Sequence, residues 1–204
     1  MPILYNMCVN LPTSIISFLI GTISGVYLVL NEKVSVEKKV IGFFIICISL
    51  VQLIEACLYY FDESYYNILI RLLSICLGLQ GFVIYFASKL MLNVPISNVL
   101  YYTIILISIS ITFLSLNAKF VIDKKTKCLN WTFLDKNKYI GDLLYIMYAL
   151  IFYLLIKIEK FRIYGYMLAI TYFISYMLKP LKNSPSAWCI SSALISPLVI
   201  LLPQ

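Results

Sequence analysis

The chain of 204 residues contains no histidine, and that one absence removes several kinds of chemistry. Zinc, di-iron and haem sites with histidine ligands are unavailable to it, as is a Ser-His-Asp triad. Charge is also scarce, at 12% of residues. Asp142 is the only aspartate inside a long hydrophobic run, which excludes an intramembrane protease built on paired aspartates. No lysine lies inside the last hydrophobic run to carry a retinal Schiff base. The seven glycines fall into no nucleotide-binding pattern. A non-enzymatic protein without cofactor or metal is therefore expected.

What the chain has in abundance is apolar surface: 62% hydrophobic residues and a mean hydropathy of +0.95. A bilayer core takes about 20 apolar residues of helix, and runs of that length recur from end to end. Strands are not expected, because alternating ten-residue segments are absent. The reading is an all-α, polytopic membrane protein, residues 1–204 forming one bundle of about seven transmembrane helices. The predicted spans are 11–30, 40–61, 68–92, 99–116, 139–156, 163–178 and 186–202. The last is the least regular, with Pro180 and Pro185 before it and Pro197 within it. Residues 1–12, MPILYNMCVNLP, lack a basic leader, so the first span is expected to stay as an anchor.

Lys33, Lys38 and Lys39 follow the first span and no Lys or Arg precedes it. The positive-inside rule then sets the first loop in the cytoplasm and the N-terminus outside or in a lumen. Lys157, Lys160 and Arg162 agree. The fourth loop conflicts, because Lys119, Lys124, Lys125, Lys127, Lys136 and Lys138 would lie outside. That loop also carries Asn130-Trp131-Thr132, a glycosylation sequon that matters only on the luminal side. Cys128 would share that oxidising side with Cys8, where the two could pair. The net charge of +7 is loop charge facing lipid headgroups, so no nucleic-acid partner is expected.

Helical spacing sorts the polar residues of the spans onto faces. Ser17, Gly21 and Gly25 form a row of small residues that admits a close neighbour helix. In the third span Arg71, Ser74, Gly78, Gly81, Tyr85 and Ser88 share a face, and Gln80 lies opposite Arg71. The second span carries Ser49, Gln52, Glu55 and Tyr59 on one stripe. A carboxylate at membrane depth normally finds a partner. Glu55 can pair with Arg71 and tie two helices together; it can line a cavity with Gln52, Gln80 and Asp142 and bind an ion, proton or solute; or it can stay protonated among apolar neighbours. Trp188, near a helix end, reads as an interface anchor. Cys47, Cys57, Cys76 and Cys189 read as small buried side chains.

In several of these residues the chain resembles an uncharacterised family of small seven-span proteins from large DNA viruses and protists. The likeness rests on Gln52-x-x-Glu55, on Gln80 in the third span, on Cys128 followed by Trp131, and on Trp188-Cys189. Where such proteins tend to have Gln-Pro, this chain has Gln80-Gly81. The resemblance implies that Gln52, Glu55 and Trp188 belong to one shared design, in a viral or endomembrane setting. The expected function is a receptor-like or structural membrane protein held by the Glu55–Arg71 pair. The alternative is a transporter or channel for a proton or small solute, using Glu55 with Gln52 and Gln80. A third reading is an organiser that binds partner helices, or a second copy, along Ser17, Gly21 and Gly25.

Overall fold

The computed structural model describes residues 11–116, 120–122, 129–131, 138–178 and 184–201. Within them lie seven helices: α1 (Leu11–Leu30), α2 (Val36–Tyr60), α3 (Tyr66–Met91), α4 (Asn98–Ser115), α5 (Lys138–Lys157), α6 (Arg162–Leu178) and α7 (Ser184–Leu201). Five of them, α1 to α5, are long and apolar enough to cross a membrane. A short antiparallel pair, β1 (Phe120–Ile122) and β2 (Leu129–Trp131), stands in the fourth loop with Val121 opposite Asn130. Strands of that size are a departure from the all-helical expectation but leave the fold class helical. Cys8 and Cys128 lie outside the described residues, as does the side chain of Asn130.

Helix limits follow local chemistry. Ser35 opens α2 by accepting a hydrogen bond from the Lys38 backbone N–H, and Ser97 does the same for Leu100 at the start of α4. Lys38 is itself nearly buried, and its ammonium donates to the Ile200 carbonyl at 3.4 Å. That satisfies an acceptor in the last turn of α7, where the helix dipole favours a cation. In α7, Pro197 has no N–H for the carbonyl of Ala193. The Ser196 hydroxyl donates to that carbonyl instead, at 2.6 Å, and the helix continues through the proline.

Each helix packs on its chain neighbours, and α7 closes the bundle against α1 and α2, while α3 also meets α5. The outer surface is apolar: Val99, Tyr102, Leu106, Ile109 and Phe113 form one exposed stripe on α4. Lipid is the environment that such a stripe requires. Inside, glycine sets the helix spacing. Gly25 of α1 and Gly42 of α2 meet backbone to backbone, each carbonyl 2.9 Å from where the other's Cβ would be. A Cβ at Gly21 would fall on the Ser49 hydroxyl, and Ser17 is buried. The Ser17–Gly21–Gly25 row is thus occupied within the chain, by α2 and α7. This overturns the organiser reading, since no small-residue face remains there for a partner helix. On α3, Gly78 meets Ser108 and Thr112 of α4, Gly81 meets Met147 of α5, and Ser74 is buried with its hydroxyl bonded to the Ile70 carbonyl. An apolar groove of about 460 Å³ runs between α3 and α4, lined by Ile75, Leu79, Phe82, Ile109 and Phe113.

A buried carboxylate among amides and aromatic rings

Polar side chains from four helices meet in one part of the interior. Gln52 and Glu55 are three residues apart on α2 and so share a face. The Gln52 Nε2 donates to Glu55 Oε2 at 2.9 Å, and both side chains are 0% exposed. Glu55 lies five residues from the end of α2, or about 7 Å along the axis. From α3 comes Gln80, also 0% exposed, whose Oε1 accepts the Tyr148 hydroxyl of α5 at 3.1 Å. Cys189 of α7 is fully buried and interacts with both Glu55 and Gln80. Tyr148 feels the same carboxyl, so the two hydrogen-bonded pairs belong to one cluster.

An aromatic wall backs it. The Trp188 ring lies 4.2 Å from that of Tyr148, 5.7 Å from Tyr172 of α6 and 5.9 Å from Phe152 of α5. The indole N–H donates to the Leu168 carbonyl at 3.3 Å. Trp188 is 0% exposed, so the interface-anchor expectation is corrected. The residue stands at the start of its helix in the sequence, yet three aromatic neighbours and a backbone acceptor enclose it.

Two amide atoms in the cluster keep their hydrogen-bonding capacity unspent: Gln52 Oε1, and Gln80 Nε2, which makes no hydrogen bond of ordinary geometry although its side chain lies beside the Cys189 thiol. Ser192, one helical turn from Cys189, has a buried hydroxyl that is likewise unspent. The Gln52 NH₂ faces Glu55, the orientation that an ionised carboxyl requires, since a carboxylate only accepts.

Two residues named from the sequence stand elsewhere. Arg71 is exposed, and no ion pair joins it to Glu55. On α3 it lies nine residues from Gln80, half a revolution away, and just outside the buried arc that includes Ser74, Gly78, Gly81, Tyr85 and Ser88. Similar depth therefore did not make the two residues partners, because Arg71 points away. Asp142 is exposed on α5, six residues from Tyr148 and on a different face. Sequence reasoning missed Tyr148 and Tyr172, which are two of 17 tyrosines with no spacing signal to single them out. Cys189 reads from the sequence as a small buried side chain and as part of the Trp188-Cys189 likeness, with no tie to Glu55.

No family model, curated protein or solved structure matches the chain.

Proposed function

We propose that this is a multi-pass membrane transport protein for a small solute or proton, with its working site at the Gln52–Glu55 and Gln80–Tyr148 cluster. The observation that carries this is the wholly buried Glu55 held by Gln52, whose carbonyl oxygen is left without a donor. Buried polar groups at this depth cost several kcal/mol when unmatched. A cluster kept at that cost, away from the membrane faces, marks a place where something binds. Of the residues that carry the resemblance, Gln52, Glu55, Gln80, Trp188 and Cys189 belong to this cluster, while Trp131 stands on β2 of the fourth loop. All seven helices would cross the bilayer, in a viral or endomembrane setting, with the N-terminus outside.

The receptor-like or structural reading draws its support from a different observation. The Trp188, Tyr148, Tyr172 and Phe152 rings join α5, α6 and α7 through ring-to-ring contacts of 4.2 to 5.7 Å, as a purely architectural core would. Purified protein in liposomes separates the two. Swelling against glycerol, urea or potassium, together with proton uptake, is compared between the native chain and Glu55→Gln at matched folding. A transport protein loses at least one of these fluxes in the variant. An architectural core shows no flux that depends on Glu55 and a lowered melting temperature instead.

A further inference from the structure

We infer that the occupant of this site is a proton, carried by the Glu55 carboxyl, and that the Gln52 amide turns over to serve both of its protonation states. The inference rests on the transport reading above and narrows it. Space is the first reason. Gln52, Glu55 and Gln80 are each 0% exposed, and Trp188 and Tyr148 are within 1% of it. None of these side chains is open to water, and a proton is the one ligand that needs no room.

The second reason is the pairing itself. A carboxylate can only accept hydrogen bonds, whereas a carboxylic acid carries an O–H that must donate. Gln52 presents its NH₂ to Glu55 Oε2 and leaves its carbonyl oxygen buried without a donor. A half-turn of the amide exchanges the two ends. The carbonyl oxygen then receives the hydroxyl of the protonated acid. A glutamine is suited to both states, and the acceptor that is idle in one state is used in the other.

The surroundings suit a proton site. α1 has no charged residue and turns Gly21 and Gly25 toward α2. From α3 comes Gln80, with Arg71 exposed and Lys89 near the opposite end of the helix. From α5 comes Tyr148, from α6 Tyr172, and from α7 Cys189 with Ser192 on the same face. Cys47 of α2 and Cys76 of α3 lie within electrostatic reach of each other. In each cycle one O–H bond forms on Glu55 as hydronium at one membrane face gives up its proton, and that bond breaks as water at the other face takes it. The closed form described here is the one in which neither face reaches the carboxyl.

Infrared difference spectra of the full-length protein in liposomes, recorded as the pH is stepped, test this. The expected result is a carboxylic C=O band that appears on acidification together with an amide C=O change. Glu55→Gln abolishes the carboxylic band, Glu55→Asp keeps it at a shifted position, and Gln52→Leu abolishes the amide change. Proton uptake driven by a potassium diffusion potential falls about tenfold or more in Glu55→Gln and is unchanged in Arg71→Ala. Absence of any Glu55 band, with uptake equal in the native chain and Glu55→Gln, overturns the proton inference. Should glycerol, urea or potassium flux still depend on Glu55, the transport reading survives that loss; should none do so, both readings fall.

Discussion

At the scale of single residues, the interior is organised by side chains that can each play two hydrogen-bonding roles. Gln80 accepts from Tyr148 at 3.1 Å, so Gln80→Leu strands a buried hydroxyl and should cost about 1–3 kcal/mol, read from thermal unfolding in detergent. Trp188→Ala should cost about 3 kcal/mol, because the indole touches three rings and holds the Leu168 carbonyl. A melting temperature unchanged in either variant would contradict these contacts. The Gln52–Glu55 relation was legible in the sequence, since spacing of three on a helix fixes a shared face. Of the residues on other helices, Gln80 was grouped with them but Tyr148 and Tyr172 were not, because spacing within one helix says nothing about the rotation of the next. Arg71 shows the consequence: its depth suited Glu55 and its direction did not. Trp188 shows another limit, in that the end of a helix in sequence need not be the surface of the membrane.

At the scale of helices, the ends were legible wherever polar residues break an apolar run, and α1 is found at Leu11–Leu30 as expected. The start of α2 was not. Glu37, Lys38 and Lys39 break the hydrophobic run, yet Ser35 caps the helix four residues earlier than expected, at Val36. Those charges sit in a first turn at the membrane border, where Lys38 finds the end of α7. The small-residue row on α1 was legible as a packing face, but whether its partner lay inside or outside the chain was not. Gly25→Val tests where it lies. Its side chain would strike Ile46 and the Gly42 carbonyl, at 2.7 and 2.9 Å from the Cβ alone, so a loss of about 1–3 kcal/mol is expected with no change in oligomeric state by light scattering. A variant of native stability that loses self-association would place this row between molecules. Arg71→Ala, on the exposed side of α3, should alter stability by no more than about 0.5 kcal/mol.

For the whole molecule, an apolar exterior around a largely aliphatic core describes a bundle made for lipid, and composition alone announced that much. The site could not be announced in this way, because it is assembled from α2, α3, α5 and α7, and only the packed bundle brings those stretches together. The orientation argued from Lys33, Lys38 and Lys39 carries its own expectation. With the N-terminus outside, the β1–β2 loop is luminal, and Asn130→Gln abolishes a glycan-dependent gel shift in a glycosylating membrane; a native chain that carries no glycan, and whose Asn130→Cys variant is labelled by an impermeant maleimide from the cytoplasmic side alone, would contradict it. The account as a whole turns on Glu55. Proton uptake into liposomes, measured for the native chain and for Glu55→Gln preparations that melt as one cooperative species, tests it most directly. Loss of uptake in a folded Glu55→Gln protein is the predicted result. Equal uptake in the two, with only a lowered melting temperature in the variant, would make the buried carboxyl a structural tie and contradict the account.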